Sequence, residues 1–208
     1  MQVTATPVHQ SDPTFLHLDV VHQNDADKIE ETLTLPSFPW HWNKVTAKMD
    51  PDFPKTLPIK DTGQMVKPLM ENADEFETGV VKIIVDSLRN HAGIDIIGVE
   101  RAKANCLFPT PGVERKHHHM PHTDKEIPWN QKCNHISCVY YVNDSDGDTM
   151  FFNKKYGEDL SDMHVIDQMA PKKGRCVIFN SNQYHTSSSP MDTDKRIVLN
   201  LVLKVRSQ

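Results

Sequence analysis

The sequence has no excess of positive charge: 23 Lys and Arg stand against 28 Asp and Glu, for a net charge of −5. Non-specific binding to nucleic acid or to an anionic membrane needs a basic field, so neither partner is expected, although a local basic groove would be compatible. No apolar run reaches bilayer-spanning length, and residues 1–6 lack a basic region followed by an apolar one. A cytoplasmic protein is therefore expected. Cys106, Cys133, Cys138 and Cys176 form no C-x-x-C pair. That excludes a zinc knuckle and a thioredoxin-like motif and leaves buried free thiols as the reading. Internal repeats and low-complexity tracts are also missing. What remains is a 208-residue chain with 38% hydrophobic and 25% charged residues, the composition of an ordinary soluble domain.

Local patterns run from helices to strands. An edge strand is expected at about 15–21, followed by a short helix at 26–33 capped by Asn24 or Asp25, with acids where the helix dipole favours them. Pro36 and Pro39 end that helix, and Trp40 and Trp42 in the next loop are expected to wedge against the core. Residues 49–60, with Pro51, Pro54 and Pro58, read as a surface connection. Asn72 is placed to cap a helix over 73–91. There Phe76, Val80, Ile84 and Leu88 recur every four residues, Val81 and Ile83 widen the stripe, and Gly93 follows the end. Such a stripe needs a flat apolar partner. Past Gly93 the period shortens, and 94–99, 102–108, 118–124, 135–142, 149–152, 175–179 and 196–205 read as strands. Turn residues separate them at 143–148, 171–174 and 187–190. Helices first and many short strands afterwards predict a mainly β barrel or jelly roll with helices buttressing one face.

The chemistry concentrates at 117–124, His-His-His-Met-Pro-His-Thr-Asp. On an extended strand residues i and i+2 face the same way, so His122 and Asp124 can share one cation. A distant histidine, with His185 the candidate, would complete a facial triad and leave positions open for a co-substrate and oxygen. Twelve histidines and 28 acids also produce such pairs by accident. His17-x-Asp19 is one, far from any other candidate ligand, and is expected as a partly exposed strand. His117, His118 and His119 are expected on a solvated edge, with Pro121 breaking their register with His122. Arg196, Val198, Asn200 and Val202 share a face of the last strand, as Ser137, Val139 and Tyr141 do on theirs. An arginine on such an apolar face calls for an anion. That anion is a ligand carboxylate, gripped by the guanidinium fork and a tyrosine hydroxyl, unless Arg196 pairs with an internal acid or points outward.

His122-x-Asp124, then His185 and then Arg196 resemble the signature of the 2-oxoglutarate/Fe(II)-dependent oxygenases, with prolyl 4-hydroxylase-like spacing. The flanking text is similar too. Ser137-Cys138-Val139-Tyr140-Tyr141-Val142-Asn143 looks like the family strand ending in Tyr-Leu-Asn, and Asp146-Gly147-Asp148-Thr149-Met150-Phe151 resembles its Gly-Gly-Glu-Thr-x-Phe turn. Pro171-Lys172-Lys173-Gly174-Arg175 looks like its Pro-Lys-x-Gly-Arg strand entry. The match spans about 100–205. Two departures stand out: Asn105-Cys106-Leu107-Phe108 lacks the tyrosine usual before the first ligand, and Asp146 replaces the first glycine of the turn.

The resemblance implies a double-stranded β-helix in one domain over 1–208, with a helical and extended support region at 1–93 and a catalytic jelly-roll core at 94–208. It implies that His122, Asp124 and His185 bind Fe(II), and that Arg196 and Tyr141 hold the distal carboxylate of 2-oxoglutarate. Ascorbate is an admissible accessory reductant. The implied activity is a dioxygenase that hydroxylates a C–H bond and releases succinate and CO2. The expected substrate is a peptidyl residue, proline foremost, covered by loops at 125–133 and 153–167. Two other classes compete: a non-catalytic jelly roll that binds a metal and a carboxylate as a sensor or interaction module, and a zinc hydrolase. The hydrolase has no use for Arg196 and Tyr141, and no general base for it stands out.

Overall fold

The structure is a computed structural model that describes residues 16–19, 21–47, 53–70 and 75–206, without the side chains of His17 and residues 75–78. The expected strand residue Phe15, the Asn72 cap and the Phe76 side chain lie outside this description. The elements in chain order are β1 (Leu16–Asp19), α1 (Gln23–Leu33), β2 (His41–Asn43), β3 (Gln64–Pro68), α2 (Glu75–Ala92) and β4 (Ile96–Leu107). They continue with β5 (His135–Tyr141), β6 (Thr149–Lys155), β7 (Val165–Met169), β8 (Arg175–Asn180), β9 (Gln183–Ser187) and β10 (Arg196–Val205).

An antiparallel sheet of seven strands runs in the order β1-β8-β5-β10-β4-β3-β2, and a smaller one in the order β7-β6-β9. Strand alternation gives the large sheet two different faces. One carries Ala102, Ala104 and Cys106 of β4, Cys138 and Tyr140 of β5, and Ile197, Leu199, Leu201 and Leu203 of β10 into a core shared with the helices. Val80, Ile84 and Leu88 of α2 pack there as the four-residue period required, joined by Val81 and Val85. The other face brings Val139, Tyr141, Val177, Phe179 and Val198 against Phe151 and Met169 of the small sheet. Two sheets face to face, with helices behind the larger one, form the expected jelly roll.

Several local expectations need correction. Residues 94–99 and 102–108 are one strand, β4, because register shifts opposite Val202/Leu203 and Lys204/Val205 absorb the irregularity that looked like a break. Residues 118–124 form no regular strand. They make isolated bridges, His118 to Ile59 and His122 to His185, and Pro121 between them has no N–H to give. The segment still lies along β9: His119 N donates to Ser187 O (2.8 Å), and His122 and His185 exchange N–H···O bonds of 3.0 Å. His118 and His119 are buried rather than on a solvated edge, because the segment is covered on both sides by β9 and residues 58–62. Helix α1 starts at Gln23 because the His22 ring, not Asn24 or Asp25, caps it, accepting from Asn24 N at 3.3 Å. Trp40 packs against the helical core, whereas Trp42 is 62% exposed on the edge strand β2. Strands β2, β3, β7 and β9 carry no strong alternating pattern and are absent from the expected set. Cys106, Cys138 and Cys176 are buried and Cys133 is half-buried, all as free thiols. No helix among the described residues is long and apolar enough to cross a membrane.

Candidate metal centre

His122, Asp124 and His185 converge so that one ligand atom from each lies within 4.8 Å of the others. The two imidazole rings sit 4.4 Å apart between centroids, and His185 Nε2 is 3.7 Å from Asp124 Oδ2. His185 stands on β9 against the edge of Phe179, with ring centroids 4.6 Å apart. His122 is brought beside it by the bridge to β9, so the pair is set by backbone pairing rather than by a long strand. Each ring places Nδ1 on a backbone carbonyl: His122 on Met120 O (3.3 Å) and His185 on Gln183 O (3.0 Å). A carbonyl only accepts, so both Nδ1 atoms carry the proton and both Nε2 lone pairs are free. His185 Nε2 is buried with no hydrogen-bond partner. An orphaned buried acceptor of this kind is costly unless something fills the site, and a divalent cation is a group that would satisfy it.

Asp124 is held from both sides. Arg101 pairs with Oδ1, Ser137 Oγ donates to Oδ2 at 2.5 Å, and Ser137 Oγ also lies 3.0 Å from Ser181 Oγ. Asp124 N donates to Ser181 O, which fixes where the bend after His122 turns. Burial alone would raise the Asp124 pKa, but His185, the Arg101 guanidinium, His122 and the Ser137 hydroxyl outweigh it and hold the carboxyl well below the usual range. Burial, reinforced by the neighbouring His185, pushes the His122 imidazole down to about 3, and burial lowers His185 as well despite the opposing pull of Asp124. Two neutral imidazoles and one carboxylate are the protonation states that a hard divalent cation needs.

A cleft opens beside these residues, and Arg196, Thr149, Lys103, Asn105 and Asn200 are among those that line it. Arg196 is 3% exposed, and among the described residues no carboxylate makes an ion-pair contact with it, Asp148 acting on it only from further off. Its Nε donates to Gly147 O (2.6 Å), one amino group donates to Thr149 Oγ1 (2.8 Å), and its guanidinium carbon lies 5.9 Å from the Tyr141 ring centroid. No internal acid among the described residues is in hydrogen-bond or ion-pair contact with it. Tyr141 is fully buried, and its hydroxyl donates to Thr149 Oγ1 at 2.8 Å. Burial pushes that phenol up to about 12, against the opposing effect of Arg196. The decoy pair behaves differently: Asp19 sits on edge strand β1 and pairs with Arg175 at 3.2 Å.

Sequence reasoning misses Thr149, Ser137, Arg101 and Lys103 as members of the site. Strand alternation offers a signal for the last three, since Ser137 shares a face with Tyr141, and Arg101, Lys103 and Asn105 fall opposite Val202, Asn200 and Val198 of β10.

Comparison with known proteins agrees with this geometry. The family model of the 2OG-Fe(II) oxygenase superfamily matches residues 110–204. No curated protein sequence matches the chain. Among solved structures, the non-heme alpha ketoglutarate dependent carbocyclase SnoK from nogalamycin biosynthesis is similar, with a TM-score of 0.62 and 11% identity over 92% of this chain and 80% of that one. A prolyl hydroxylase from Trichoplax adhaerens, in complex with a hypoxia inducible factor peptide fragment, has a TM-score of 0.53 and 14% identity over 92% and 84%. A Pseudomonas putida prolyl-4-hydroxylase has a TM-score of 0.51 and 12% identity over 93% of both chains. At such identities the three structures speak for the fold, whereas the family model runs through the segment that carries His122, Asp124, His185 and Arg196. Residues 110–204, which carry His122, Asp124, His185 and Arg196, match the 2OG-Fe(II) oxygenase superfamily, and that match marks a 2-oxoglutarate-dependent dioxygenase that works with Fe(II).

Proposed function

We propose that His122, Asp124 and His185 hold the Fe(II), that Arg196 binds the distal carboxylate of 2-oxoglutarate, and that the enzyme hydroxylates a peptidyl side chain, proline foremost. The observation that carries the metal assignment is the buried, partnerless His185 Nε2 aimed at the same point as Asp124. When bound, Fe(II) and 2-oxoglutarate supply the oxidising chemistry, with succinate and CO2 as co-products. The chain supplies geometry. The Nδ1 bonds to Met120 and Gln183 fix both ring tautomers, and Arg101 with Ser137 keeps the Asp124 carboxylate ionised and oriented. Arg196 offers a buried guanidinium without a carboxylate partner, which a ligand carboxylate satisfies through charge-assisted bonds.

Thr149 and Tyr141 join Arg196 as a unit. Thr149 Oγ1 accepts from both Tyr141 and Arg196, so its own proton is left to donate into the cleft it lines. Tyr141 then acts on the co-substrate carboxylate through Thr149 as well as through its ring beside the guanidinium.

The peptidyl reading is supported by the prolyl 4-hydroxylase-like motifs and by fold similarity to two prolyl hydroxylases, one of them with a bound peptide. The carbocyclase with the same fold supports a small molecule as the second reading. We place the enzyme in the cytoplasm, a reading supported by its four free cysteines. The test incubates the protein with Fe(II), 2-oxoglutarate and O2 together with proline-containing and proline-free peptides, free proline or single-stranded DNA. Gain of one oxygen atom by the proline peptides, matched by succinate release, is expected. Gain of oxygen only on DNA or on a free amino acid refutes the peptidyl reading and leaves the oxygenase intact. In the same assay Arg196→Ala should raise the 2-oxoglutarate KM at least about tenfold, roughly 1.4 kcal/mol of lost binding.

A further inference from the structure

Strand β4 sends Arg101, Lys103 and Asn105 to the face opposite its core residues Ala102, Ala104 and Cys106. Arg101 is committed to Asp124. Lys103, half-buried, makes no ion pair or hydrogen bond with any described residue, although it lines the cleft together with His122, His185 and Arg196. Asn200 stands directly across from it on β10, and Asn105 is the next inward residue of its own strand. The Oδ1 atoms of both asparagines are buried without a partner. One unpaired ammonium and two unsatisfied carboxamides thus form a continuous polar strip beside the metal ligands. Burial, with Arg101 close by, lowers the Lys103 pKa against the opposing pull of Asp124.

The charges of the other groups do not fill this strip. Taking the iron and co-substrate assignment above as its basis, the formal charges of Fe(II), Asp124, Arg196 and the 2-oxoglutarate dianion cancel. Arg101 and Lys103 are then surplus, and of the two only Arg101 is in ion-pair contact with a carboxylate. We propose that Lys103, with the carboxamides of Asn105 and Asn200, selects a substrate that carries a carboxylate and an N–H donor close to the carbon that is hydroxylated. Either an acidic side chain next to the target residue of a peptide or the ends of a free amino acid present that combination. An ammonium takes the carboxylate as a point charge, and a carboxamide oxygen takes the N–H.

The test is calorimetric titration of the full chain, loaded anaerobically with Mn(II) and 2-oxoglutarate so that no turnover intervenes. The probes are acetylated proline peptides with Asp on either side of the proline, the same peptides with Asn, free proline and prolinamide. A carboxylate probe should bind at least about tenfold more tightly than its amide counterpart, about 1.4 kcal/mol. Preference for acidic peptide or for free proline identifies which source the site takes. Lys103→Met should abolish the discrimination, Lys103→Arg should retain it, and Lys103→Glu should turn it toward Lys-flanked peptides, each variant being checked for fold by circular dichroism. Equal affinity for acid and amide probes in the unmodified chain overturns the proposal. So does a Lys103→Met variant that loses 2-oxoglutarate affinity while discriminating as before, because Lys103 then serves the co-substrate. Failure of the underlying assignment is read separately, as absent binding of Mn(II) and 2-oxoglutarate in titrations without probe.

Discussion

The two imidazoles at the centre are prepared by one device, a backbone carbonyl two residues upstream that claims Nδ1: Met120 for His122 and Gln183 for His185. Each ring is locked in the tautomer that presents Nε2, so little reorganisation remains for metal binding. Removing one ring should therefore remove a ligand without disturbing the other. His185→Ala is expected to lower anaerobic iron stoichiometry sharply, measured after desalting. Unchanged iron content would show that the metal sits elsewhere. Residue types in chain order make the meeting of His122, Asp124 and His185, with Arg196 lining the same cleft, legible from the sequence alone. Thr149 is not legible as the partner of Arg196, because it accepts from Tyr141 and Arg196 at once, a three-way meeting of β5, β6 and β10. His118 and His119 mislead for a similar reason. Their burial comes from β9 and residues 58–62, which no local pattern announces.

At the level of elements, the turn between β5 and β6 has a task that its odd sequence conceals. Asp146, where the family turn has glycine, accepts N–H bonds from Met191, Asp192 and Thr193 and a hydroxyl bond from Thr193. It thereby ties the β5–β6 turn to the connection that leads into Arg196, while Gly147 beside it receives Arg196 Nε. A side chain at Gly147 would meet Ser188 O at 2.7 Å and Arg196 Cδ at 2.9 Å, so the two segments touch there without room for a Cβ. Burial by itself would raise the Asp146 pKa, but Thr193 and the N–H groups of Asp192, Met191 and Thr193 outweigh it and hold the carboxyl well below its ordinary 3.8. A depressed folded-state pKa means stabilisation present above about pH 4 and lost as pH falls through the folded value. Asp146→Ala should cost about 1.5–3 kcal/mol at neutral pH in chemical denaturation, with the gap to the unmodified chain narrowing in acid. A gap independent of pH would mean that the carboxylate is not the cause. Helix α2 carries a simpler expectation. Ile84 is fully buried against the large sheet, so Ile84→Ala should cost about 2–5 kcal/mol by the same measurement. The α2 stripe is legible because its period repeats over several turns. Strands β2 and β7 escape because His41–Asn43 and most of Val165–Met169 are exposed and lack a buried face to alternate with a polar one.

At the scale of the whole molecule, the large sheet is a partition between two interiors. One interior holds the helices, and the other holds the small sheet and the cleft. Strand β10 lies at its centre and is buried along nearly its whole length, facing both ways at once. Arg196, Val198 and Asn200 belong to the cleft side, and Ile197, Leu199 and Leu201 to the helical side. The demands of the cleft and those of the helical core therefore fall on this strand in alternation, one residue out of step. What the cleft presents can be altered at the even-numbered positions while the odd-numbered ones stay fixed. One ten-residue segment thus carries two nearly independent records, one of how the cleft is lined and one of how the chain stays folded.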